Sequence, residues 1–221
     1  MKKFLNFMKS TKLKNAILLI FLLCLYIFIS AHGYVLAVSE DLSQAVFRLH
    51  VIANSDSKED QELKLKVRDK LLEYMNIICA DCNTKEEAIA LAEDHKEDFQ
   101  KIAEETIKEN GFDYPVKINI NNFYFPTKNY GDISLPAGFY DALRVEIGNA
   151  SGQNWWCVMF PSLCFIDVSS GIVDDEAKEN LEENLNAESY NIISDKENSS
   201  FTFKFKIIEF FAEKGLFTAK N

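Results

Sequence analysis

The stretch AVFRLHVIANSDSKED, Ala45 to Asp60, changes its period in the middle. Phe47, Leu49 and Val51 alternate with Arg48 and His50, and a period of two marks a half-buried strand with one apolar and one polar side. The polar turn Asn54-Ser55-Asp56-Ser57 ends it. Ser57 followed by Asp60 then reads as a helix start, because a serine hydroxyl can accept the amide proton three residues on. From there Leu63, Val67, Leu71, Leu72, Met75 and Ile78 recur at helical spacing and predict a helix of about five turns.

Working outward towards the C-terminus, Thr84 with Glu87 repeats the start signal. An apolar stripe through Ile89, Ala92, Phe99, Ile102, Ala103 and Ile107 continues until Asn110 and Gly111 stop it. The period returns to two at Val116, Ile118 and Ile120, and again at Leu143, Val145 and Ile147 against Arg144 and Glu146. Between them FPTKNYGDISLPAG, with two prolines and two glycines, reads as a loop. The uncharged run WWCVMFPSLCF, Trp155 to Phe165, is broken by Pro161 and Ser162, so it reads as a hairpin with arms Trp155 to Phe160 and Leu163 to Asp167. DDEAKENLEENLN reads as an acidic amphipathic helix, SDKENSS as a polar loop, and FTFKFKIIEFFAEKG as a strand that ends in a short helix. The order of these patterns predicts an α+β fold: a largely antiparallel sheet, two long amphipathic helices and one or two shorter ones.

Working outward towards the N-terminus, five lysines precede the first acid, Glu40, and the apolar run AILLIFLLCLYIFI extends from Ala16 to Ile29. A basic segment followed by an apolar one is an export leader, either cleaved after the small residue Ala37 or retained as an anchor. Residues 1–37 are therefore read as signal peptide or membrane anchor, whose five lysines stay inside, and 38–221 as a single extracytoplasmic domain. Without the leader, 19 basic residues face 34 acidic ones, a formal charge of −15. Such a field repels phosphate backbones, which argues against nucleic acid and for a protein partner or a cationic substrate.

Catalytic signatures are scarce. No nucleophile elbow, metalloprotease helix, phosphate loop or zinc knuckle is present, so no cofactor or metal is expected. His50, Asp56 and Asp60 could serve an exported hydrolase as acid, base or metal ligands, although Asn-Ser-Asp-Ser before a helix is more simply turn and cap chemistry. His95, in EDHKED, reads as a solvated helix residue. Cys79 and Cys82 form a local pair, disulfide or free. Cys157 and Cys164 become diagonal neighbours across the hairpin, about 7–8 Å apart at the start, so a bridge there needs shear or a wider turn. Trp155 and Trp156 must point to opposite faces of a strand, one into the core and one towards a second layer or the outside. With His50, Asn54 and Asp56 they are the candidate partner-binding residues.

Two blocks, FRLHVIANSDSKEDQELKLKVRD (Phe47 to Asp69) and LPAGFYDALRVEIGNASGQNWWCVMFPSLCFID (Leu135 to Asp167), resemble the signature blocks of the stage II sporulation protein R family. FKFKIIEFF near the end resembles the family's closing segment more loosely. Ser162 stands where a second proline is common in that pattern, and Phe210 and Phe211 stand where tryptophans are. The resemblance implies a signalling protein of endospore-forming bacteria, exported from the forespore into the intermembrane space. There it triggers a membrane-embedded aspartic peptidase that removes the pro-segment of sigma factor E in the mother cell. It implies no catalytic residues.

Overall fold

The computed structural model describes residues 11–130, 133–161 and 175–194. The chain divides into two compact units, Met1–Val38 and Ser39–Asn221. A helix, α1 (Thr11–Ala45), supplies the described part of the first unit and the opening turns of the second. Its window Leu13–Ser30 has a mean hydropathy of 2.3 and is long and apolar enough to cross a membrane. Ile17, Leu19, Phe21 and Ile29 all point outward and more than half exposed, an arrangement that water penalises and lipid does not.

The second unit follows the predicted change of period. Strand β1 (Phe47–Ile52) leads through the corner at Asn54 into α2 (Lys58–Ile78), where the Ser57 side chain accepts the Asp60 amide. Leu63, Val67, Leu71 and Met75, the predicted stripe, are buried. The second stripe is broken: α3 (Lys85–Asp94) ends at His95, which begins α4 (Lys96–Glu109). Ala88 and Ala92 on one side, and Phe99, Ala103 and Ile107 on the other, keep four-residue spacing. The step from Ala92 to Phe99 has only polar residues where an apolar one is needed, so two short helices each bury their own face. Thr84 caps α3 by accepting from Glu87, as the sequence implied.

The remaining elements are β2 (Val116–Phe125), β3 (Lys128–Tyr130), β4 (Ile133–Leu135), β5 (Gly138–Ile147), β6 (Asn154–Phe160), α5 (Asp175–Asn184) and α6 (Ala187–Ser194). The main sheet has the order β2-β5-β1-β6. The β2–β5 and β1–β6 pairings are antiparallel, and β1 runs parallel to β5. The fold is thus α+β with a mostly antiparallel sheet. β3 and β4 pair separately inside the segment read as a loop. Each has three residues, too few for an alternation to register, yet Tyr130, Ile133 and Leu135 are buried. The second arm expected for the hairpin, Leu163 to Asp167, and the segment from Phe201 onward lie outside the described residues.

Helices α2 and α4 cover the sheet face that carries Leu49, Val51, Leu143 and Val145. A half-buried ion pair ties α3 to the sheet: the buried Lys85 Nζ meets the partly exposed Asp141 Oδ2 at 2.5 Å and donates to the Ser43 carbonyl at 2.6 Å. Burial pushes the Asp141 carboxyl up, but the hydrogen bonds from Lys85 and Asn122 hold it below the usual carboxylate range. Cys79 and Cys82 are joined in a disulfide at the end of α2.

Two expectations follow for stability. A methyl on Gly152 would run into the Ser55 carbonyl, a backbone atom fixed by the corner. Gly152→Ala should therefore lower the urea midpoint by an amount worth about 1–3 kcal/mol, with an unchanged slope. The Cys79–Cys82 bridge closes a very short loop, so replacing both cysteines with serine should cost only about 2 kcal/mol in the same measurement.

Candidate functional site

The corner between β1 and α2 is built from groups that hold one another. Asp60 is buried and accepts from Asn54 Nδ2 at 2.8 Å and Ser55 Oγ at 2.5 Å. Burial raises its affinity for a proton, but these hydrogen bonds and those from Tyr114 and Ser57 keep it below the usual carboxylate range. Asn54 also accepts from the Asn149 amide at 2.9 Å, and its carbonyl accepts from Ser151 Oγ at 2.7 Å. Asp56 accepts from the Gln153 amide at 2.8 Å, and Lys64 Nζ donates to the Gln153 carbonyl at 3.0 Å. The corner thereby grips the β5–β6 turn. Gly148, at φ +57°, passes so close to the Asn54 side chain that no larger residue fits.

His50 does not join these carboxylates. Its Nε2 shares a 2.7 Å hydrogen bond with Asn154 Oδ1, and among the described residues no hydrogen bond or ion pair links it to Asp56 or Asp60. The three residues expected to act together as acid, base or ligand are thus distributed between a sheet face and a capped turn. No cluster of three metal-ligating side chains occurs among the described residues.

The polar side of β1 is covered, against the expectation of a half-exposed strand. Every residue of β1 is buried: the strand lies inside the sheet, between β5 and β6, and aromatic rings lie over its polar side. Arg48 has no exposed surface. Its guanidinium carbon lies 4.0 Å from the centre of the Phe125 ring, 4.8 Å from Tyr140 and 5.9 Å from Tyr130. Nη2 donates to the Tyr130 hydroxyl at 2.6 Å, and that hydroxyl donates to the Trp156 carbonyl at 3.1 Å. Nε and Nη1 of Arg48 have no hydrogen-bond partner among the described residues. Aromatic faces stabilise a cation through their quadrupoles but accept no conventional hydrogen bond.

Next to Arg48 on the same face, His50 stacks on Trp156 with ring centres 3.7 Å apart and 18° between planes. Phe125 meets Trp156 edge-on at 4.8 Å. Burial, with help from the positive charges of Arg144 and Arg48, lowers the His50 pKa from 6.5 to about 4, and the Asn154 hydrogen bond only partly opposes this. His50 is therefore neutral at pH 7, and its Nδ1 is buried without a partner among the described residues. Arg144, opposite His50 in the register, pairs with Glu146 at 2.8 Å, while its Nε has no partner among the described residues.

The tryptophans do point to opposite faces. Trp155 pairs with Val51 on the helix side, under the Arg68 guanidinium at 4.1 Å, whereas Trp156 pairs with His50 on the other. Both are half-buried, so the division into one core and one surface tryptophan is less sharp than alternation suggests. His95 is half-exposed rather than free in solvent, bonded to Tyr74 at 2.8 Å and Asp98 at 2.9 Å. Cys157 is buried and disulfide-bonded, and Cys164 lies outside the described residues. Sequence reasoning missed Asn154, Phe125, Tyr130, Tyr140 and Arg144 as parts of this face. The only signal was the common parity of their strands, which becomes informative once the strand order is known.

A family model described as stage II sporulation protein R matches residues 43–170. The stage II sporulation protein R of Bacillus subtilis (strain 168) is 33% identical over 172 residues, covering 72% of this chain and 77% of that protein. No solved structure matches the chain.

The lowered His50 pKa has a testable sign. Above about pH 6.5 histidine is neutral in both the folded and the unfolded chain, and its effect is nil. As pH falls towards 4 the unfolded chain gains a proton that the folded one resists, so stability is lost, up to about 3 kcal/mol for the full displacement. Denaturant unfolding at pH 7.0 and 4.5 should show His50→Gln losing less stability on acidification than the parent. Equal losses would contradict the buried neutral imidazole.

Proposed function

We propose that this chain, which belongs to the stage II sporulation protein R family, acts as an exported signal that activates a membrane-embedded aspartic peptidase. That peptidase processes the pro-form of sigma factor E in the mother cell. The family match over residues 43–170 carries the sporulation role. The apolar window Leu13–Ser30 supports passage from the forespore to the intermembrane space, with the helix serving as signal or anchor. The charge of −15 on the remainder favours a protein partner over nucleic acid. The candidate carboxylates are engaged in the corner, and His50 is neutral and bonded to an amide, which supports recognition rather than hydrolysis.

As an activator, the chain works by binding the active state of the peptidase more tightly than the inactive one. The shift it produces is bounded by that difference in affinity. Trp156, with Asn154 beside it on the same face, is the candidate anchor; an amphipathic ring held by its neighbours loses little entropy on binding. The neutral His50 supports it from below. Cys157 and Cys164 are proposed as the pair that fixes the strand carrying this tryptophan.

Deleting the gene and following conversion of pro-sigma-E by immunoblot in sporulating cells tests the reading; unimpaired conversion would refute it. Restored with variants that accumulate normally, Trp156→Ala should weaken conversion severalfold or more. Asp56→Asn, which trades one turn hydrogen bond, should cost about 1 kcal/mol of stability and leave conversion largely intact. Near-complete loss of conversion in both Asp56→Asn and His50→Gln, with normal protein levels, would instead restore the hydrolase reading.

A further inference from the structure

Two arginines on one face of the sheet carry hydrogen-bond donors that find no acceptor among the described residues. Arg48 contributes Nε and Nη1 and Arg144 contributes Nε, while the neutral His50 between them gives its one N–H, at Nε2, to Asn154 Oδ1. The register puts them together: Arg48 pairs with Ala142, and two residues on His50 pairs with Arg144 on one side and Trp156 on the other. Arg48 and His50 are 0% and 5% exposed. Arg144, with a side chain 32% exposed, the half-buried Trp156 and the exposed Asn154 form a rim that solvent reaches.

A buried guanidinium is ordinarily matched by a carboxylate, because its desolvation is otherwise uncompensated. Among the described residues Arg48 has only the Tyr130 hydroxyl as acceptor, with rings over the remainder of the group. The domain is otherwise strongly acidic, and Arg144 is already shared with Glu146. A concentration of unsatisfied donors in an acidic protein is a selective feature: it attracts one carboxylate at one place while the rest of the surface repels non-specific anions.

We infer that this face, framed by Arg144, Trp156 and Asn154 above Arg48 and His50, is a docking site for a carboxylate-bearing segment of a protein partner. The inference rests on the reading of the chain as a binding module and specifies the chemistry of what it binds. An aspartate or glutamate side chain meets Arg144 first and takes up the donors beneath it. The Tyr130 hydroxyl, which holds Arg48 Nη2 in the unbound protein, is the group it must displace. Adjacent backbone of the segment lies against Trp156, whose ring and the neighbouring amide of Asn154 supply the apolar and polar parts of the contact.

The chain has only three arginines, Arg48, Arg68 and Arg144, and Arg68 lies over Trp155 on the helix side as an internal control. The full chain, labelled with nitrogen-15 arginine in detergent micelles, is titrated with acetyl-Gly-Glu-Gly-amide and with its Gln counterpart. The glutamate peptide should move the Nε–H signals of Arg48 and Arg144 but not Arg68, and the glutamine peptide should move none. Arg144→Gln, chosen because its side chain is partly exposed and the fold should survive, should weaken the response at Arg48 by at least tenfold. Tyr130→Phe should strengthen it severalfold by removing the competing acceptor. No movement at millimolar peptide, or equal movement of all three signals, overturns the inference. The sigma-factor assay separates the two ideas. Normal conversion by Arg144→Gln with a lost peptide response would refute carboxylate docking in signalling and leave the activator reading standing, while unimpaired conversion in the deletion strain would refute the activator reading itself.

Discussion

The grip of the Asn54 to Asp60 corner on the β5–β6 turn is the interaction on which the rest depends. A single side chain, Asn54, donates to Asp60 at the head of α2 and accepts from Asn149 in the turn, so helix start and turn position are set together. The Asp56 bond to the Gln153 amide then fixes where β6 begins. Because side chains alternate along a strand, a slip of one residue would exchange Trp155 with Trp156 and move every contact on the far face. The corner therefore controls chemistry some residues away while taking no part in it. Asp60 also shows why a carboxylate beside a histidine in sequence is weak grounds for catalysis: its oxygens are used in the turn.

The far face behaves unlike an ordinary core. It buries a guanidinium among three aromatic rings and a neutral histidine between an amide and an indole, and it leaves three arginine donors without acceptors among the described residues. Removing a charge from water without a counter-charge is costly, and cation–π contacts of about 2 kcal/mol or somewhat more when desolvated offset only part of it. Stability alone does not favour such an arrangement over apolar residues of similar volume. It is the kind of feature retained for recognition, and its neighbour Trp156 has the composition of an interface anchor.

The first unit adds a physical constraint of a different kind. An exposed apolar helix of this length calls for lipid or for removal. The charge that follows it is of the opposite kind: the remainder of the chain after residue 37 is strongly acidic.

Much of this was determined by the amino-acid sequence alone. The period change at Asn54, the caps at Ser57 and Thr84, the stripe of α2 and the alternation of β5 are local, and local preference and tertiary packing agree there. The family, too, was legible, because long mixed runs such as HVIANSDS are specific without reference to any fold. Other features were decided only by tertiary structure. The alternation Arg48, His50 reads as a solvated face, and it becomes buried because β1 lies inside the sheet and β2, with Phe125, and the short β3–β4 pair bring rings over it. The place of β1 between β5 and β6 arises from pairings between residues about a hundred positions apart. The break at His95 follows from how two short apolar faces meet the core. A sequence states which side chains share a face of their own strand; it takes the assembled sheet to decide whether that face meets water, because burial is a property of neighbours brought together from distant parts of the chain.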